Sequence, residues 1–335
     1  MTATGQGAGP AMTHGIHTPE DLQRAMQAKF PPSPEQWAAI TAPLSPVVVI
    51  AGAGSGKTTL MAARVVHLVL TGQVRPEEIL GLTFTTKAAA ELRQRIRAAL
   101  TAAGVLGPVR PTSAGAEDEE VLEPTVATYN AFAAGLLTDH GLRIGHEPDT
   151  RVITDASRYQ LGARAVDRYD GDVAKLSDHP PTVIQNLLAL DGAMSEHLVG
   201  PDDVLAFDAG ERRSFERALA EEQAGKNRKT YAEAIQGAID VIDKRAELMG
   251  LVASYRQLKA DLGLMDFSDQ IALAARLADA QPDVGRIVRA RFKVVLLDEY
   301  QDTSVAQATL LARLFGEGHP VMAVGDPNQA IYGWR

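Results

Sequence analysis

The sequence contains no cysteine among its 335 residues. That absence excludes disulfides, thiolate zinc sites and cysteine-ligated iron–sulfur clusters, and it fits a cytoplasmic setting. Long apolar runs are lacking too. None approaches the ~20 residues needed to cross a bilayer, so no membrane partner is expected. The opening stretch Met1–Gly15 has neither the basic start nor the apolar segment of a secretory signal, and residues 1–17 are expected to form a disordered tail. A basic excess is also missing: the formal net charge is −9. Nucleic-acid-binding domains more often carry positive charge. An acidic protein can still hold a local basic groove, so the charge counsels caution without excluding DNA.

What is present is an ordinary globular balance, with 45% hydrophobic and 22% charged residues. The length allows two domains, or one domain with a large insertion. Thr18 followed by Pro19 and early acids predicts a short helix, and Ser33-Pro34 predicts another carrying Gln36 and Trp37. Val47–Ala51 and Ile79–Phe84 are apolar, partly β-branched runs that read as buried strands. Helices are expected over Lys57–Leu70 and Lys87–Leu100, and alternation of strand and helix predicts a parallel α/β sheet. Gly104–Pro124, with the acidic run Glu117–Glu120, is expected to be a surface loop before a short strand at Thr125–Thr128. From about Leu136 to Ala260 helical patterns dominate. Strand signals return at Arg291–Leu297 and Val321–Val324. The expected organisation is an α/β domain over 18–136 and 262–335, split by a mostly helical insertion over 137–261.

Three segments carry chemistry. Ala51-Gly52-Ala53-Gly54-Ser55-Gly56-Lys57-Thr58 fits the phosphate-loop pattern, with alanine at the first glycine position. Its glycines permit torsions that turn successive N–H groups inward as an anion nest, and the following helix adds its positive end. Lys57 is expected to sit between the β- and γ-phosphates of ATP, and Thr58 to ligate Mg²⁺; Thr59 joins the expected cofactor set. Asp298-Glu299 closes an apolar strand, as an acid doublet paired with a phosphate loop should. Asp298 is assigned to Mg²⁺ and Glu299 to polarising the attacking water. Gln329 follows another strand end and is assigned to sensing the γ-phosphate. Tyr332 and Trp334 lie close behind, where they could stack bases or serve as core residues.

These segments, with Leu82-Thr-Phe-Thr-Thr-Lys-Ala-Ala-Ala-Glu91, occur in the order and spacing of a known group. The chain resembles the UvrD/PcrA/Rep family of superfamily 1 DNA helicases. The resemblance implies a RecA-like fold and ATP-driven 3′→5′ movement along single-stranded DNA, in repair or recombination. It implies that Phe30 and Gln36 recognise adenine, although Ser33-to-Gln36 also spells a helix capping box. It implies DNA contacts at Thr83, Phe84, Thr85, Tyr129, Asn130, Tyr332, Trp334 and Arg335. Phe84 also suits a core position, and Tyr129-Asn130 departs from the family's usual Phe-His. Asp266-Phe-Ser-Asp269 matches a family segment and equally a helix N-cap, and Gln301 matches a position coupling nucleotide to DNA.

Tyr129-Asn130 together with Gly141–Gly145 is similar to actinobacterial chains of the AdnB type, which join the motor to a nuclease. The partners implied are single-stranded DNA, duplex junctions, a helicase–nuclease subunit and a second RecA-like domain. Arginines of that second domain reach the γ-phosphate in the family, and none of its segments lies before Arg335. Residues 1–335 are therefore expected to form the N-terminal portion of a longer protein and to turn over ATP poorly alone. The rival readings are a translocase that strips proteins from DNA and a regulatory or scaffold module that holds ATP without hydrolysing it.

Overall fold

A computed structural model describes residues 15–107, 122–226 and 228–330. Two compact units are formed. Of the described residues, the first holds 15–107, 122–132, 282–303 and 314–330, and the second 133–226, 228–281 and 304–313.

The first unit begins with α1 (Pro19–Met26) and α2 (Pro34–Ile40), both opened by proline. Thr18 accepts from the Asp21 N–H while Asp21 accepts from the Thr18 N–H, a reciprocal cap that satisfies two donors no helical carbonyl can reach. There follow β1 (Val47–Ile50), α3 (Lys57–Leu70), β2 (Ile79–Thr83), α4 (Thr86–Ala102), β3 (Thr125–Thr128) and α5 (Tyr129–His140), which runs on into the second unit.

The second unit continues with β4 (Arg151–Val152), α6 (Asp155–Asp167), α7 (Pro180–His197), α8 (Pro201–Ala224), α9 (Lys229–Asp261), β5 (Leu264–Met265) and α10 (Phe267–Ala280). The chain returns to the first unit through α11 (Pro282–Arg291) and β6 (Val294–Leu297), gives most of α12 (Val305–Phe315) to the second unit, and re-enters the first at β7 (Val321–Gly325). Here α10 falls with the helical unit, whereas the sequence drew the return at residue 262. It packs on α7, and its first turn is tied by ion pairs to α9.

The sheet of the first unit has five strands in the order β1-β7-β6-β2-β3, every pair parallel. Parallel strands covered on both faces read as unbroken apolar runs, which is why Val-Val-Leu-Leu of β6 is buried throughout. Met61, Val65 and Leu68 of α3 pack with Leu92, Ile96 and Leu100 of α4 over Ile79, Leu296 and Val324. Burying each such side chain contributes roughly 1.5–3 kcal/mol, so this face anchors the loops at the strand ends. The expected tail lies outside the described residues as far as His14. Beyond it, Ile16 is buried in this same core, a contact the reading of a tail did not foresee. Most of the expected loop 104–124 also lies outside the described residues.

The second unit is built on helices, as the mixed-charge pattern predicts, with a two-stranded β4–β5 pair that its short sequence did not announce. Leu161, Leu187, Met194, Val252 and Tyr255 form its core. Beside them lies a buried ionic cluster. Lys259 Nζ is 2.7 Å from Asp269, 3.0 Å from Asp191 and 3.4 Å from Asp266. Arg256 pairs with Asp191 at 2.6 Å and Arg158 with Asp266 at 3.0 Å. Asp266 also accepts from the Ser268 and Asp269 N–H groups, and Asp269 accepts from the Asp266 N–H. The segment Asp266–Asp269 is thus a helix N-cap, one of the two readings its sequence allowed.

Candidate functional site

The phosphate loop leaves β1 beside β7, where the Ala51 N–H donates to the Gly325 carbonyl at 3.0 Å. Gly54 and Gly56 hold φ of 73° and 84°, left-handed values that cost a side-chain-bearing residue free energy. Gly52, Ala53, Gly54 and Ser55 are exposed, and the Ser55 hydroxyl donates back to the Gly52 carbonyl at 2.7 Å. No side chain caps α3, so the amides of its first turn stay open to an anion. Lys57 and Thr58 begin that turn, half-buried, with Thr59 exposed behind them.

Gln36 takes up the capping role its sequence allowed and also reaches the phosphate loop. Its Oε1 accepts from the Ser33 N–H at 3.0 Å, closing the capping box, while its Nε2 donates to the Ser55 carbonyl at 3.0 Å. The residue expected to read adenine is therefore braced against the phosphate loop. Phe30 is exposed, with the Lys29 ammonium over its ring.

The acids arrive on β6, one strand beyond β7. Asp298 continues the ladder, its N–H donating to the Leu82 carbonyl at 2.9 Å, and its side chain is buried. Burial, and then the neighbouring Glu299 charge, push its carboxyl above the usual range. A divalent cation reverses such a cost, so a buried carboxylate at this strand end suits Mg²⁺. Glu299 has φ of 48°, which is sparsely populated by non-glycine residues and stores about 1–3 kcal/mol of strain. Its Oε2 accepts from Lys57 Nζ at 2.8 Å and from Gln301 Nε2 at 2.9 Å. Burial pushes this carboxyl up, but the hydrogen bonds from Lys57 and Gln301 outweigh it and hold the group below its ordinary value.

Gln301 extends the network to β7. Its Oε1 accepts from the Asp326 N–H at 3.0 Å. Asp326 is buried and accepts from the Asn328 N–H at 3.0 Å and from the Gln329 amide. A continuous polar chain thus runs Lys57–Glu299–Gln301–Asp326–Gln329 across the C-terminal ends of three neighbouring strands. Open α/β sheets bind ligands at this edge. The sequence singled out four of these residues. Asp326 was missed, because an acid beside a proline reads as turn chemistry until its partners are seen.

The expected DNA contacts divide. Thr85 is exposed and caps α4, accepting from the Ala88 N–H at 3.1 Å. Phe84 and Asn130 are half-buried, and Phe84 packs on the Tyr129 ring at 5.2 Å between centroids. Thr83 and Tyr129 are 1% and 2% exposed, so neither faces a strand of DNA. Tyr129 sits beneath Phe84, and burial makes both side chains internal supports rather than surfaces open to a ligand in this structure. Burial also pushes the Tyr129 hydroxyl well above its ordinary range. That hydroxyl and Thr303's, both buried, lie near each other short of hydrogen-bond geometry. Tyr332, Trp334 and Arg335 lie outside the described residues.

A family model for the UvrD/REP helicase N-terminal domain matches residues 32–335. The chain is 28% identical over 301 residues to the ATP-dependent DNA helicase PcrA of Leuconostoc citreum, covering 90% of this chain and 33% of that one. It is 28% identical over 311 residues to the ATP-dependent DNA helicase UvrD1 of Mycobacterium tuberculosis (strain ATCC 25618 / H37Rv), covering 90% and 34%. DNA helicase II of Haemophilus influenzae is 26% identical over 296 residues, with 88% and 34% covered. The chain spans about a third of the length of these relatives.

Proposed function

The chain belongs to the UvrD/REP helicase family, and on that premise we propose that it is the first ATPase portion of a DNA helicase. The observation that carries the reading is the polar chain from Lys57 to Gln329, which gathers a phosphate-loop lysine, a strained acid and a terminal amide at one sheet edge. Bound Mg²⁺ would supply charge neutralisation at the phosphates. The α3 amides and Lys57 bind the triphosphate, and Thr58 and Asp298 hold the cation. Glu299 orients and deprotonates water, and Gln329 reports the γ-phosphate.

The proposed substrate is single-stranded DNA at duplex junctions, tracked 3′→5′ in repair or recombination. Thr85, Phe84 and Asn130, with Tyr332, Trp334 and Arg335, form the proposed contact. Hydrolysis needs arginines from a second RecA-like domain, so residues 1–335 alone turn over ATP slowly. Such an arginine contributes about 10³–10⁵ in rate in other phosphate-loop enzymes. A partner nuclease subunit belongs to the same proposal. No described helix is long and apolar enough to cross a membrane.

The test compares DNA-stimulated ATP turnover and strand displacement by the full-length protein and its K57A variant. Loss of both activities in K57A is expected. Full-length protein that binds ATP but shows no turnover with or without DNA would favour a regulatory module instead. Displacement of bound protein without strand separation would favour a stripping translocase.

A further inference from the structure

We infer that Arg95, on α4, is a nucleotide-binding residue whose guanidinium lies against the adenine base. The inference rests on the reading of the phosphate loop as an ATP site and extends it to a side chain outside every motif. Arg95 is exposed, yet its Nη1 donates to the Thr59 hydroxyl at 3.3 Å. Thr59 is the third residue of α3, directly behind Lys57 and Thr58. A surface arginine has wide freedom, and here it is turned onto the first turn of the phosphate-loop helix.

With Gln36 read as the adenine contact, the position of Arg95 is on the base side of the loop rather than the phosphate side. A Cβ added at Gly56 would meet two groups, the Gln36 Nε2 at 3.6 Å and the Thr59 Cβ at 4.0 Å. The expected adenine reader and the anchor of Arg95 therefore flank the same glycine. Lys57, by contrast, turns to Glu299 on β6. Arg95 also forms no ion pair among the described residues, whereas Lys57 is already paired. A planar guanidinium with no carboxylate to satisfy stacks readily on an aromatic face, and a purine offers one beside Gln36.

The experiment measures binding of ATP and of inorganic tripolyphosphate, which has no base, to the full-length protein and to its R95A, R95K and K57A variants. R95A should weaken ATP binding by about fivefold to thirtyfold and leave tripolyphosphate unchanged. R95K, which keeps the charge but not the plane, should recover little of the loss. An equal loss for both ligands would overturn the inference by making Arg95 a phosphate ligand, and no loss for either would overturn it outright. K57A separates this from the underlying reading. If K57A leaves both ligands bound as in the unaltered protein, the phosphate-loop assignment itself fails, whatever R95A does.

Discussion

Replacing Glu299 with glutamine should do two opposite things to the full-length protein: abolish turnover and tighten nucleotide binding. The first follows from losing the base, which typically contributes 10²–10⁴ in rate. The second follows from the pair in the nucleotide-free site. Lys57 Nζ and Glu299 Oε2 are 2.8 Å apart, with the lysine side chain 10% exposed and the glutamate 40%. At that separation the gross attraction is roughly 6 kcal/mol at an effective dielectric of about 20. Desolvation of the lysine and solvent screening at the open carboxylate cancel most of it, leaving a net worth of about 1 kcal/mol. Lys57 must give up that pair to reach the phosphates. In E299Q only a neutral hydrogen bond holds it, so a non-hydrolysable ATP analogue should bind about fivefold more tightly. Equilibrium titration checks this. Unchanged or weaker binding in E299Q would refute the idea that the general base competes for the lysine. Acid should mimic the variant. A carboxyl held below its ordinary 4.5 keeps its pair above that pH and loses it as pH falls through the lowered value. The difference between the two proteins should shrink over that range.

In the helical unit, K259A strands the carboxylates of Asp191, Asp266 and Asp269 against Arg158 and Arg256 alone. Breaking a buried cluster in this way should cost about 3–5 kcal/mol in urea denaturation at neutral pH. The loss should be smaller in mild acid, because burial already raises the Asp269 carboxyl and protonation relieves the stranded charge. A loss below about 1 kcal/mol at neutral pH would mean that the cluster is solvated, as exposed pairs are. Y129F should leave single-stranded DNA affinity unchanged and thermal stability equal or slightly higher, since its buried hydroxyl lacks a hydrogen bond. A measurable drop in DNA affinity with stability intact would restore Tyr129 as a contact.

The strands and the phosphate loop were legible because their signals are local, although β1, expected to be a buried strand, leaves Val48 and Ile50 exposed on one face because it is the edge strand of the sheet. Four β-branched or apolar residues before a glycine-rich turn admit few conformations, and Val-Val-Leu-Leu before Asp298 marks its own end. What was not legible depends on residues far apart in sequence. Gln36 looked divided between a cap and a base reader, and only the approach of Ser55 shows that one amide serves the cap with its oxygen and the loop with its nitrogen. Thr83 and Tyr129 carry residue types suited to contacting DNA. Their burial is set by the β2–β3 pairing, in which Thr83 opposes Thr128 and brings Tyr129 under Phe84. No pattern in α4 distinguishes Arg95 from the arginines at 93 and 97. Arg93 instead bonds a backbone carbonyl and Arg97 bonds Glu123.

Gln301 links the ends of β6 and β7 through a single side-chain amide. A backbone N–H can only donate, so the Asp326 N–H fixes which end of the Gln301 amide is oxygen. The other end must then be the NH₂ group, and it points at the carboxylate of Glu299. The space is also tight, since a Cβ on Gly325 would come within 2.4 Å of the Gln301 oxygen. The amide therefore cannot stay in place if Gly325 and Asp326 shift. A movement of the β7 exit, where Asp326 accepts from Gln329, changes the donor offered to Glu299 and with it the balance that holds this acid below its ordinary value. Glutamate at position 301 could not serve. It could accept from Asp326 but would turn a second negative charge on Glu299, and the strained φ of that residue would lose one of the two donors that hold it.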